Sequence, residues 1–182
     1  LYLPPFKAAV DAGADTAMCS FNAINGVPGC ANKRLETDIL KREWKFDGFI
    51  ESDYTAIAEL LNHGVAATGA DAGALSLMSG TDSEMVSTFL RDNGKQLLAD
   101  GKITMARLDD AVRRILRVKF RAGLFEHPYV DVSKSESAQE LPDALAAARK
   151  AAGKSMVLLE NQNNTLPFKT DKKTAVIGPL AK

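Results

Sequence analysis

The sequence predicts an α/β protein built from parallel βα units, with a second α/β unit opening near its end. Three observations carry this. The first half repeats one phrase: helical pattern, short turn, brief apolar strand, polar loop, next helix. A strongly periodic helix over 104–121 closes that series. The pattern then dissolves over 125–137 and restarts as a helix and an apolar run.

Taken in order, Phe6 to Ala12 reads as a helix stopped by Gly13. Thr16 to Ser20 is a strand opening into a loop, Asn22 to Ala31, that carries Asn25-Gly26 and Val27-Pro28 turn signals. Asn32 can cap a helix reaching about Trp44, with Leu35, Ile39 and Leu40 inward. Asp47-Gly48 turns the chain into the strand Phe49 to Asp53, and Ala56 to Asn62 is helical, with Ile57, Leu60 and Leu61 inward. A further strand is expected over Asp82 to Val86, then helices over Thr88 to Ala99 and Thr104 to Arg121. In the second of these, Leu108, Ala111, Val112, Ile115, Leu116 and Phe120 keep an inner-face rhythm, Thr104 caps the start and Gly123 suits the end. Beyond the polar stretch come a helix, Asp143 to Lys154, the apolar run Met156 to Leu159, and a strand starting at Thr174. That last strand stops soon after it begins and the chain opens without a leader pattern, so it is expected to be an internal piece of a longer protein.

Twenty-three basic residues balance twenty-three acidic ones, so no net field draws in nucleic acid or an anionic membrane surface. No stretch approaches the roughly 18 consecutive apolar residues of a transmembrane helix. A neutral partner is left unopposed, and no membrane or nucleic-acid partner is expected. Cys19 and Cys30 match no paired metal-ligand spacing, and no metal or other cofactor is expected. They are read as free thiols, since isolated cysteines behave as small buried hydrophobes. A bridge between them would point to an oxidising compartment.

In βα architectures the reacting groups sit where strands end. Three places qualify: Met18 to Phe21, Ser52-Asp53-Tyr54, and Asp82 to Met85. Asp53 is a carboxylate beside an aromatic ring, a pairing that suits a sugar's apolar face and a glycosyl cation. From position alone, capping the helix at Ala56 explains Asp53 at least as well.

The motifs decide between the two. Met18-Cys19-Ser20-Phe21-Asn22-Ala23-Ile24-Asn25-Gly26-Val27-Pro28, then Leu35 to Trp44, then Phe46-Asp47-Gly48-Phe49-Ile50-Glu51-Ser52-Asp53-Tyr54 together resemble the later barrel strands of glycoside hydrolase family 3. The likeness continues through His63-Gly64-Val65-Ala66-Ala67, Leu108 to Leu116, Gly123-Leu124-Phe125, Ser155 to Asn161 and Val176 to Ala181. It implies the C-terminal part of a TIM-type (β/α)8 barrel over 1–125, a linker over 126–142 and the start of a second α/β sandwich domain over 143–182. It also implies a retaining exo-β-glycosidase, β-glucosidase-like, acting on a β-glucoside or oligosaccharide with Asp53 as nucleophile, and with Met18, Phe21 and Tyr54 around the sugar. The acid/base is then expected beyond Lys182, and the lysine-histidine pair that grips the sugar before Leu1. Compartment and oligomeric state stay open, with a periplasmic or secreted location compatible.

Three positions depart from the family pattern. Phe21 replaces a common tyrosine, and Tyr54 a common tryptophan or histidine. Glu51 replaces an aliphatic residue on the strand face that carries Asp53. Two close carboxylates do not both ionise cheaply, so Glu51 is expected to pair with a basic residue one layer below the mouth. Within the family the alternatives are a β-xylosidase, whose cysteine spacing Cys19 and Cys30 resembles, and a β-N-acetylglucosaminidase. From another class comes a non-catalytic sugar-binding remnant.

Overall fold

The alternation of apolar strands and amphipathic helices folds as an α/β structure, described here from a computed structural model that covers residues 2–135, 141–169, 171, 173–179 and 181. It divides into two units, Leu1–Tyr129 and Val130–Lys182. In the first unit α1 (Leu3–Asp11) leads to β1 (Thr16–Cys19). A tight hairpin follows, β2 (Ala23–Ile24) against β3 (Val27–Pro28). Its turn has positive φ at both Asn25 (53°) and Gly26 (79°), the geometry that an Asn-Gly pair favours. After a short 3-10 turn, Gly29–Ala31, come a π-helix (Arg34–Glu43), β4 (Phe49–Ser52), α2 (Ala56–Asn62), α3 (Gly69–Ser79), α4 (Phe89–Ala99) and α5 (Met105–Arg121).

β1 and β4 pair in parallel, with Thr16, Ala17, Met18 and Cys19 opposite Phe49, Ile50, Glu51 and Ser52. The turn into β4 needs Gly48, because a Cβ there would lie 2.0 Å from the Asp15 carbonyl oxygen. One sheet face is covered: Ile50 and Cys19 join Cys30, Phe46, Ile57, Leu60 and Ala72 in the main core. A second cluster, Ala74, Leu77, Leu97, Ile103 and Ala111, packs α3 against α4 and α5. No helix among the described residues is long and apolar enough to cross a membrane.

Two caps form as expected. Asn32 Oδ1 accepts from Leu35 N at 3.1 Å, and the Thr104 side chain accepts from Arg107 N at 3.2 Å. Other expectations are corrected. Cys19 and Cys30 are bridged, not free: the hairpin folds the intervening loop back on itself, bringing the two Cα atoms to 5.2 Å. The segment after Asn32 is a π-helix, with Trp44 N donating to Ile39 O at 2.9 Å, so a 3.6-residue rhythm misplaces its inner face. Leu35, Ile39 and Leu40 are only half-buried, and the buried residue is Glu36. The strand expected over 82–86 reduces to one parallel bridge, Glu51 to Ser83. On α5 the inward residue is Ala111, while Val112, Leu116 and Phe120 are exposed. Arg107 and Arg114 occupy that inner side instead, their stems packed and their guanidinia on backbone carbonyls. α3 was not foreseen.

In the second unit α6 (Pro142–Ser155) begins with proline in its first turn. The described residues from Thr174 to Ile177 pair with no strand, and Met156 to Leu159 are exposed.

Beneath the sheet lies a buried polar cluster. The Asp82 carboxylate, its side chain 0% exposed, accepts from Lys41 Nζ and Arg107 Nη2, each at 2.7 Å, and from Ile50 N at 2.8 Å. Beside it, Glu36 accepts from Thr81 Oγ1 at 3.1 Å. Burial pushes the Glu36 carboxyl up to about 8; the Thr81 hydroxyl and Lys41 oppose this and the Asp82 charge adds to it. Burial likewise lowers the Lys41 ammonium to about 8, against the pull of Asp82. Glu36 therefore holds its proton more tightly folded than unfolded. The stability it contributes is complete below its ordinary value of 4.5 and is lost as pH rises toward 8. Lys41 acts in the opposite sense, with stability regained above pH 8 as the unfolded chain loses its extra proton. Glu36→Gln removes the first effect. In thermal or urea melts, the stability difference between pH 5 and pH 8 is expected to shrink by up to about 1.4 kcal/mol per pH unit. An unchanged pH slope would show that Glu36 reaches water.

Candidate active site

Strand polarity brings the first two of the three sequence candidates to one edge of the sheet. β1 and β4 run parallel, so the loops that follow Cys19 and Ser52 leave from the same end. Side chains alternate along β4: Ile50 and Ser52 are buried, while Phe49 and Glu51 are half-buried on the opposite face. That alternation continues to Asp53, which is half-buried and shares the Glu51 face. Met18 is the register neighbour of Glu51 and is 57% exposed; Phe21 and Tyr54 follow the two strand ends at 37% and 62% exposed.

Asp53 does not cap α2. Its Oδ1 accepts from Tyr54 N at 2.6 Å, its carbonyl accepts from Ala56 N at 3.1 Å, and among the described residues no side chain caps that helix. The reason is the backbone between them. Thr55 is left-handed at φ 58°, which swings the first turn of α2 away from the carboxylate. For a β-branched residue this conformation costs about 1–2 kcal/mol, and such outliers concentrate at functional sites. No ion pair among the described residues involves Asp53 or Glu51. The second oxygen of Asp53 accepts no protein hydrogen bond among the described residues. An anionic oxygen free of donors, at a strand end flanked by large apolar side chains, can attack or stabilise an electron-poor carbon.

Glu51 is not paired with a basic residue as expected. Its Oε1 accepts from the Ser83 hydroxyl at 3.4 Å, because Ser83 is the residue bridged to it on the third parallel segment. That segment accounts for the third candidate place. Asp82 is buried in the ion cluster below the sheet, away from solvent. Glu84 accepts from Phe89 N at 3.0 Å and Leu90 N at 2.8 Å, so it caps α4. His63, at the end of α2, donates through Nε2 to the Phe21 carbonyl at 3.1 Å and ties the loop after β1 to the C-terminal end of α2. Sequence reading named the Ser52-Asp53-Tyr54 place and quoted His63 but gave Ser52 and His63 no role of their own, and it passed over Thr55. For Ser52 the available signal was the alternation along β4, which turns it inward beside the apolar Ile50 face.

Residues 1–118 match the model of the glycosyl hydrolase family 3 N terminal domain. The chain is 41% identical to a protein named periplasmic beta-glucosidase from Salmonella typhimurium over 99% of its own length and 24% of that protein's. It is 40% identical to a probable exo-1,4-beta-xylosidase from Aspergillus fumigatus, again over 99% of its length and 24% of the relative's. The structure is similar to the crystal structure of the beta-glucosidase from Listeria innocua, with a TM-score of 0.81 and 39% identity over 91% of this chain and 23% of that one. The Listeria enzyme has also been crystallised with glucose and, as a mutant, with laminaribiose. The chain thus spans about a quarter of the length of these relatives.

Proposed function

The chain belongs to glycosyl hydrolase family 3, and from that premise we propose that its parent protein is a retaining exo-β-glycosidase that removes terminal non-reducing β-D-glucosyl residues, with Asp53 as nucleophile. The observation that carries the reading is the placement of Asp53: a half-buried carboxylate at the strand edge, held by one backbone N–H and, among the described residues, committed to no cation or helix end. A carboxylate is nucleophilic enough to attack the anomeric carbon and a good enough leaving group to depart afterwards. In the first step the Asp53 oxygen bonds to that carbon while the bond to the leaving oxygen breaks and an acid protonates it. In the second step water, deprotonated by the same group, displaces Asp53 and restores the original configuration. Glu51 lies on the same strand and face as Asp53, hence on the wrong side of the sugar to serve as that acid. The acid/base is proposed to reside elsewhere in the parent protein.

Met18, Phe21 and Tyr54 are proposed to form the apolar walls of the sugar site, where C–H faces can stack. The parallel β1–β4 pair with its covering helices supports the C-terminal part of a (β/α)8 barrel over 1–125. The linker over 126–142 and a second sandwich domain from 143 belong to the same proposal.

A second reading, β-xylosidase, is favoured by one observation: the Cys19–Cys30 bridge, a spacing that resembles such enzymes. Chromogenic β-glucoside and β-xyloside offered to the full-length protein separate the two. The proposal expects the larger kcat/KM with the glucoside; a larger value with the xyloside selects the second reading. No turnover of either would leave a sugar-binding protein and overturn both.

A further inference from the structure

Ser52, the last residue of β4, is wholly buried, and its N–H and its hydroxyl oxygen are both committed to one neighbouring segment. Its N–H donates to Ser83 O at 2.9 Å, and its Oγ accepts from Met85 N at 2.8 Å. That segment is fixed at both ends. At Asp82 the carboxylate takes Ile50 N, Lys41 and Arg107, so the start of the segment is tied to the middle of β4. At Glu84 the carboxylate takes the first N–H groups of α4 and the Ser87 hydroxyl at 2.7 Å. Two β-branched residues then leave the neighbouring strand ends in the left-handed region, Thr55 at φ 58° and Val86 at φ 67°. Such conformations persist only where the surrounding bonds over-determine the backbone. The Met85 N–H to Ser52 Oγ bond joins the two segments shortly before each of these positions.

Resting on the reading of Asp53 as nucleophile, we infer that Ser52 is a positioning residue for it, with Asp82 as the anchor of the segment Ser52 holds. The Met85 N–H to Ser52 Oγ bond fixes the last rung of β4, and with it the point from which the Asp53 carboxylate projects. Without it the rung is free to shift, and a displacement of about 1 Å at a reacting group can cost about a hundredfold in rate. The alternative is a hydrogen bond that only stabilises the fold. The two differ in kind: lost stability reduces how many copies are active, whereas lost positioning slows each active copy.

The test uses the full-length protein carrying Ser52→Ala and, because a cavity could unfold the first variant, Ser52→Cys, which keeps the volume with a much weaker acceptor. Each is trapped with a slow 2-fluoro glycoside, counting label per folded chain by mass spectrometry and measuring the trapping rate against concentration. The expected result is one label per chain on Asp53 in all proteins, a trapping rate constant lowered about 10- to 100-fold in both variants, and a half-saturating concentration changed less than about threefold. An unchanged rate constant per labelled copy, whatever the stability, overturns the positioning role. Label on a different carboxylate in the unsubstituted protein instead removes the nucleophile reading, and this inference with it.

Discussion

Asp53→Asn is expected to lower the kcat of the full-length protein at least about a thousandfold while moving its melting temperature little. The change is nearly isosteric, and the amide oxygen can still accept from Tyr54 N as Oδ1 does at 2.6 Å. Neither an ion pair nor a helix cap is lost, since Asp53 makes neither. What goes is the negative charge and the nucleophilic oxygen. Had Asp53 been a cap, asparagine would serve almost as well and activity would survive. Steady-state rates on a chromogenic glucoside, paired with a melt of the same sample, distinguish the outcomes.

The largest loss of stability is expected at Asp82. Asp82→Ala leaves the Lys41 ammonium and Arg107 guanidinium facing each other around an emptied acceptor, with side chains only 7% and 14% exposed. It also strips Ile50 N of its acceptor in the middle of β4. Removing one partner of a buried ion pair costs about 3–5 kcal/mol, because the remaining charge stays buried. The comparison is Arg121→Ala. Arg121 bonds Asp15 and Asp47 at the surface, with its side chain 44% exposed, where water and salt screen the pairs to about 1 kcal/mol or less. Urea melts of the two variants should therefore separate clearly. Equal small losses would mean that the cluster relaxes or hydrates when Asp82 is removed.

The sequence announced those parts of the fold whose cause is local. Asn25-Gly26 makes a turn because both residues tolerate positive φ, and Asn32 and Thr104 cap because their side chains reach the next free N–H groups. The helices from Ala56, Phe89 and Met105 form where the sequence pattern places them, although the inner face expected for the last does not hold. What was illegible depends on partners distant in the chain. α3 is rich in small residues, buried at Ala72, Gly73, Ala74, Ser76, Leu77 and Ser79, so it shows no polar face to mark its period. The inner side of α5 belongs to Arg107 and Arg114, whose carbonyl partners lie up to 68 positions away. The disulfide depends on the hairpin closing, and at the strand expected from Asp82 the Asp82 carboxylate takes Ile50 N, leaving one bridge, Glu51 to Ser83. Strand-end position together with the family resemblance singled out Asp53, and the structure places Met18, Phe21 and Tyr54 at the same edge of the sheet. Ser52 stayed hidden, because its Met85 partner is 33 positions on.

The most direct test of the account is the site of covalent attachment. A slow 2-fluoro β-glucoside, incubated with the full-length protein and followed by proteolysis and tandem mass spectrometry, should leave one sugar ester on the peptide containing residues 49 to 54, with fragments assigning it to Asp53. A sugar found on Glu51, Asp82, Glu84 or a carboxylate outside this chain would contradict it.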